Sequence, residues 1–240
     1  MTTDQTVLPK QTLRGLQLQR LGAVAGLVLL VVVFAILAPP FLQVNNLLNV
    51  ATQTSVIAII AIGQSYVIIT GGIDLSVGAI AALAGVITAN LLKAGMPIPL
   101  AILLGLLGGI LCGVINGILI AYGKIPPFIA TLGMLGIARG AVLVITNGSP
   151  VSGLPREFGW LGNGSVLGIP FPAILMIALS ALFGWILLKS RFGRNIFAIG
   201  SNEKTAFLSG LHVDRTKIAV YAVGGLLAAI AGVILTSRLV

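Results

Sequence analysis

Asp74 and Ser76 are the residues whose types and spacing most suggest chemistry, because they lie in the glycine-rich sequence GGIDLSVG at residues 71–78, between two long apolar runs. The adjacent glycines Gly71 and Gly72 break a helix, since glycine adopts backbone angles that other residues avoid. Asp74 and Ser76 are suited to cap the helix that restarts. An intramembrane acid can also carry a coupling proton, as in secondary transporters. We favour capping for Asp74 and keep proton coupling as the alternative.

The composition indicates a multipass membrane protein. Hydrophobic residues make up 58% of the chain, charged residues 8%, and the mean hydropathy is +1.13. The net charge of +9 comes from Lys and Arg residues between apolar runs, so we read them as topology signals and not as a nucleic-acid surface. The single cysteine, Cys112, and the single histidine, His212, form no metal or acid–base constellation, so we expect no enzyme and no cofactor in this chain.

Apolar runs predict an all-α fold with about seven transmembrane helices, at 21–38, 50–70, 77–92, 100–122, 128–146, 173–188 and from 218 onward. The first run is followed by Pro39 and Pro40 where a signal-peptide cleavage site would have small residues, so we expect a retained span. Residues 1–20 carry Lys10, Arg14 and Arg20, so we expect them to form a cytoplasmic segment. Residues 21–240 are then expected to form a transmembrane domain. The connection at 189–217 has the largest basic excess, so we expect it to be cytoplasmic.

Polar side chains within the predicted spans suggest a wet path or contacts between helices. Gln53 and Gln64 belong to the second span, and the two readings stay open for both. Arg139 lies inside the fifth span, where we prefer a structural partner or snorkelling to direct substrate contact. The candidate residues of a translocation path or gate are Gln53, Gln64, Asp74, Ser76 and Arg139.

Small residues recur at every fourth position in three spans, which allows close helix approach on one face. They are Ala81, Gly85 and Ala89, then Gly109, Gly113 and Gly117, then Gly224, Ala228 and Gly232. The second set predicts that the fourth span is a tightly packed inner helix.

The cytoplasmic connection contains a predicted short helix. Asn202 is suited to cap it, the helix runs to Leu208, and Gly210 is suited to end it. Its apolar residues, 206–208, need a surface to pack against. Docking to another protein and folding back under the bundle are both open.

Four motifs, in this order, resemble the permease subunit of ribose-type sugar importers of the ATP-binding-cassette class (ribose, xylose or arabinose). They are GGIDLSVG at 71–78, FIATLGMLGIARG at 128–140, TNGSP at 146–150 and RFGRNIFAIGSNEKTAFLSGLHV at 191–213. The resemblance implies a ten-span, type II-like inner-membrane permease that moves a ribose-like monosaccharide. Because the family pattern continues for further spans after a segment like TSRL, we expect the chain to be C-terminally truncated.

The resemblance also implies partners. They are a cytoplasmic ATPase that holds ATP and Mg²⁺, a periplasmic or extracellular sugar-binding protein, and a second permease copy in the lipid membrane. The chain has no GxxxxGK[ST] motif, so ATP hydrolysis is expected on the partner. In the loop that resembles the family's coupling helix, the residues implied to contact the ATPase are Asn202, Glu203, Ala206, Ser209 and Gly210.

Overall fold

The computed structural model describes the backbone of residues 10–240 and the side chains from Val24 onward. Its helices are α1 (Lys10–Leu37), α2 (Val44–Ile69), α3 (Val77–Lys93), α4 (Ile98–Ala121), α5 (Pro127–Thr146), α6 (Trp160–Asn163), α7 (Phe171–Lys189), α8 (Arg191–Ser201), α9 (Glu203–Leu208) and α10 (Val213–Ser237). Five of them, α2, α4, α5, α7 and α10, are long and apolar enough to cross a membrane. Two further apolar helices are shorter, Val24–Leu37 within α1 and Val77–Lys93. The predicted all-α, multipass fold is confirmed.

The chain divides into two compact units, residues 1–50 and 51–240. In the first, α1 ends before a 3-10 turn at Pro39–Leu42, where two prolines prevent the α-helix from continuing. The Phe34 and Phe41 rings lie 5.7 Å apart across this turn. The helix begins at Lys10, earlier than the apolar run, and residues 1–9 of the predicted cytoplasmic segment lie outside the described residues.

In the second unit the inner helix is α10. In the apolar 18-residue stretch of each helix, 61% is buried in α10 and 28% in α4. The predicted tight packing of the fourth span is confirmed at its glycines, but the small buried share of α4 contradicts the prediction that it is an inner helix. Only its glycine face is packed, while Leu103, Leu107 and Leu111 are exposed on its other side.

The predicted small-residue faces are confirmed as sites of close packing. A Cβ atom at Gly113 would collide with the Tyr221 carbonyl, and one at Gly225 with the Gly109 carbonyl. A Cβ atom at Gly232 would similarly meet the Ala81 carbonyl. Backbone therefore meets backbone where α10 crosses α4 and α3, as small residues permit between membrane helices.

The loop between α5 and α7 is more structured than the sequence suggests. It contains a 3-10 turn at Arg156–Gly159, α6, and a two-stranded antiparallel sheet of β1 (Ser165–Val166) and β2 (Ile169–Pro170), with Ser165 opposite Pro170. The Ser237 hydroxyl donates to the Phe158 carbonyl at 2.5 Å and accepts from the Gly162 N–H at 2.8 Å. These bonds attach the loop to the end of α10.

Candidate functional site at the helix break

The two glycines of the break between α2 and α3 have different roles. Gly71 has φ +81°, in the left-handed region that favours glycine. At Gly72 a Cβ atom would lie 2.5 Å from the Tyr221 hydroxyl, so a side chain there would require that hydroxyl to shift. The N–H groups of Gly71 and Gly72 donate to the carbonyls of Ile68 and Val67 at 2.9 and 3.0 Å, which closes the end of α2.

Asp74 holds the start of α3. Its side chain is 1% exposed, and its Oδ1 accepts from the Ser76 N–H at 2.8 Å and the Ser76 hydroxyl at 2.6 Å. The prediction that Asp74 caps the free N–H groups of α3 is wrong, because its two bonds go to Ser76, the residue before the helix, and close the turn that leads into it. The same role for the Ser76 hydroxyl is wrong, because its proton goes to Asp74 and it accepts from Asn116 Nδ2 at 3.0 Å instead of from the first turn of α3.

Polar residues of α2, α4 and α5 complete the surroundings of the break. Gln64 Nε2, on α2, donates to the Asp74 carbonyl at 2.6 Å. The Leu75 N–H donates to Thr131 Oγ1, on α5, at 3.2 Å. Asn116 comes from α4. The break is thus bonded to α2, α4 and α5 through polar side chains.

Four buried side-chain atoms of this cluster have no hydrogen-bond partner among the described residues. They are Gln64 Oε1, Asp74 Oδ2, Asn116 Oδ1 and the Tyr221 hydroxyl. A buried polar group without a partner costs about 1–3 kcal/mol. Three acceptors and one hydroxyl are therefore available to water or to a ligand that carries hydroxyl groups. We call Gln64, Asp74, Ser76, Asn116 and Tyr221 the polar break cluster.

Of the predicted path residues, the structure brings together Gln64, Asp74 and Ser76. Gln53 lies on the same face of α2 as Gln64, but it is exposed. At 1.5 Å per residue, it lies on the order of 16 Å from Gln64 along the helix. Arg139 is exposed on α5 and forms no ion pair with a described residue. Sequence reasoning missed Asn116 and Tyr221, although a lone amide in the apolar α4 was an available signal.

The short helix predicted to follow Asn202 is present as α9. Asn202 Oδ1 accepts from the Thr205 N–H at 2.9 Å, which caps its first turn. Gly210 has φ +82°, and the next N–H, of Leu211, donates to the Ala206 carbonyl at 3.2 Å. The predicted cap and end of this helix are confirmed.

The two faces of α9 have different surroundings. Ala206 is 5% exposed and packs with Ile199 and Val213, so this face folds back on the chain. Phe207 and Leu208 are 66% and 75% exposed. Glu203, at the start of α9, pairs with Lys217 at 2.7 Å, and the Ser209 hydroxyl donates to the Thr205 carbonyl at 2.9 Å.

Comparisons with known proteins agree with this architecture. The family described as "branched-chain amino acid transport system / permease component" matches residues 46–240. The ribose import permease of Bacillus subtilis (strain 168) is 49% identical over 225 residues, 92% of this chain and 70% of the relative. The ribose import permeases of Haemophilus influenzae and Escherichia coli (strain K12) are 44% and 40% identical, over 89% and 99% of this chain and 68% and 75% of those proteins. No solved structure matches the chain.

The chain belongs to the ribose-type permeases of ATP-binding-cassette importers. It is a multipass protein of the inner membrane and a subunit of a sugar importer. Such a permease works with an ATPase and a substrate-binding protein. The ion-coupled alternative has no support in these comparisons.

We expect Asp74→Ala to lower the free energy of unfolding by about 1–3 kcal/mol, because the Ser76 N–H and hydroxyl would lose their buried acceptor. Asp74→Asn keeps an acceptor oxygen at the same place, so its loss of stability should be smaller. Thermal unfolding of the purified permease measures both. Normal transport by a folded Asp74→Asn protein would show that the charge of Asp74 is not essential.

Proposed function

We propose that this permease moves ribose or a closely related monosaccharide into the cell. The observation that carries the proposal is the 49% identity to a ribose import permease over 92% of this chain. The chemistry of the polar break cluster suits such a cargo, because unpaired carbonyl and carboxylate oxygens accept hydrogen bonds from sugar hydroxyl groups.

The polar break cluster is proposed as part of the inner gate of the translocation path. In the arrangement described here its four unpaired atoms are enclosed by protein. An opening at Gly71 and Gly72 would expose them to water or sugar, which would remove the cost of leaving them unpaired. Gln53 and Arg139, which lie away from the cluster, remain proposed residues of other parts of the path.

The ATPase is proposed to dock on α9, within a cytoplasmic loop at 189–217. Phe207 and Leu208 supply the exposed apolar surface, while Asn202, Glu203, Ala206, Ser209 and Gly210 fix the shape of the helix. ATP and Mg²⁺ would be held by that partner. A buried face on one side of α9 and a free apolar face on the other suits a helix fixed in one subunit and received by another.

A second copy of the permease is the proposed partner within the membrane. Cβ atoms placed at Gly133, Gly136 and Gly140 of α5 would meet no described atom within 4 Å. This open glycine face permits close approach by a helix of another copy. Arg139 lies beside it.

Uptake measurements test the proposed function. In cells or vesicles that hold the permease with its ATPase and binding protein, uptake of labelled ribose should stop when ATP is depleted at a maintained proton gradient. Unlabelled ribose should compete with the labelled sugar. Uptake that continues without ATP would contradict the ATP-driven mechanism, and uptake that unlabelled ribose does not reduce would contradict the substrate.

A pair of tyrosine variants tests the gate. Tyr221→Phe removes a buried hydroxyl without a partner among the described residues, so stability should not fall and should rise by up to about 1–3 kcal/mol, while sugar uptake falls several-fold. Tyr66→Phe is the matched control, because the Tyr66 hydroxyl donates to the Phe183 carbonyl at 2.5 Å and its removal should lower stability by about 1–3 kcal/mol. Normal uptake by Tyr221→Phe would refute its place in the gate.

Alanine substitutions on α9 test the ATPase contact. We expect Phe207→Ala combined with Leu208→Ala to weaken association with the ATPase about tenfold, since large exposed apolar side chains are candidates to anchor an interface. Phe197→Ala, on α8, is the matched control because Phe197 is also exposed, at 47%. Binding of the ATPase to the detergent-purified permease is the measurement. Equal effects of the variant and the control would argue against a specific contact at α9.

A further inference from the structure

Three basic side chains gather where α7 passes into α8. Lys189 ends α7 and Arg191 begins α8, with only Ser190 between them. Arg194 Nη1 donates to the Lys189 carbonyl at 3.3 Å, so its guanidinium lies next to the junction. Arg191 and Arg194 are three residues apart on α8 and are therefore neighbours on its surface. All three side chains are exposed.

These cations have no anionic partner within the described chain. Residues 171–202 contain no Asp or Glu. The nearest acids in sequence are already used, Glu203 by Lys217 at 2.7 Å and Asp214 by Lys124 at 3.1 Å. Like charges held at neighbouring positions repel each other. The cluster therefore favours an anion that comes from outside the chain.

The position of the junction relative to the membrane indicates which anion. Only 17% of the apolar 18-residue stretch of α7 is buried, so this helix lies at the edge of the bundle. Trp185, 63% exposed, lies one turn before Lys189, and tryptophan is enriched at the level of the lipid headgroups. The other face of α8 is buried against the bundle through Gly193, Ile196 and Ile199. The cations thus lie where an apolar span ends.

We propose that the α7–α8 junction binds the headgroup phosphate of an anionic phospholipid through Lys189, Arg191 and Arg194, with Trp185 against the lipid's glycerol and acyl region. Basic residues just beyond a span attract anionic lipids, and the arginine guanidinium matches the geometry of phosphate oxygens. This site differs from the exposed surface of α9, which is apolar at Phe207 and Leu208 and suits a protein partner.

Native mass spectrometry of the complete permease, released from nanodiscs of phosphatidylcholine and phosphatidylglycerol, tests the proposal. Arg191→Gln combined with Arg194→Gln should lower the retained phosphatidylglycerol roughly tenfold, because each basic residue near the surface contributes severalfold to anionic-lipid binding. Lys204→Gln combined with Arg215→Gln is the control, since it removes the same charge from exposed positions elsewhere in the loop. Arg191→Lys combined with Arg194→Lys should keep part of the retention.

The other outcomes overturn the proposal. Equal loss in the control would show a general charge effect and no site. Displacement of the lipid by millimolar inorganic phosphate, or unchanged retention in the glutamine variant, would show that the junction is not a lipid site. A glutamine variant that loses ATPase binding but keeps its lipid would assign the cluster to the ATPase interface instead.

Discussion

The close approach of α10 to α4 is the constraint on which the second unit depends. Lipid is as apolar as a leucine side chain, so membrane helices associate by packing and hydrogen bonds and not by the hydrophobic effect. At Gly113 and Gly225 only a hydrogen atom fits between one helix and a backbone carbonyl of the other. Any side chain there would force the two backbones apart, because a carbonyl cannot move away as the end of a flexible side chain can.

The polar break cluster depends on this approach. Tyr221 contributes both the carbonyl that meets Gly113 and the hydroxyl that lies against Gly72. Asn116, from the same helix as Gly113, reaches the Ser76 hydroxyl at 3.0 Å. The contact between Gly113 and Tyr221 therefore fixes how close α4 and α10 lie, and with it the positions of Asn116 and the Tyr221 hydroxyl at the break. The motif at residues 71–78 forms a site only because two helices much later in the chain are packed this tightly.

Local features were predictable from the sequence and distant partnerships were not. The spans follow from apolar run lengths, the cap of α9 from Asn202, and the break from two adjacent glycines. Asn116 and Tyr221 were missed because their role depends on helix contacts that no short pattern encodes. The fold of the loop before α7 was missed for the same reason, since it is held by Ser237, distant in sequence. The inner position of α10 was also missed, because α4 and α10 carry the same spacing of small residues.

The two proposed sites for gating and for ATPase docking are joined by continuous packing. Ala206 of α9 lies in one apolar cluster with Ile199 of α8. The next residue of α8, Gly200, is so close to the Ile69 carbonyl that a Cβ atom would collide with it. Ile69 ends α2, two residues before the left-handed Gly71. A chain of direct contacts thus runs from α9 through α8 to the backbone beside the break. Because residue 200 is a glycine, the backbone of α8 meets the Ile69 carbonyl with no side chain between them.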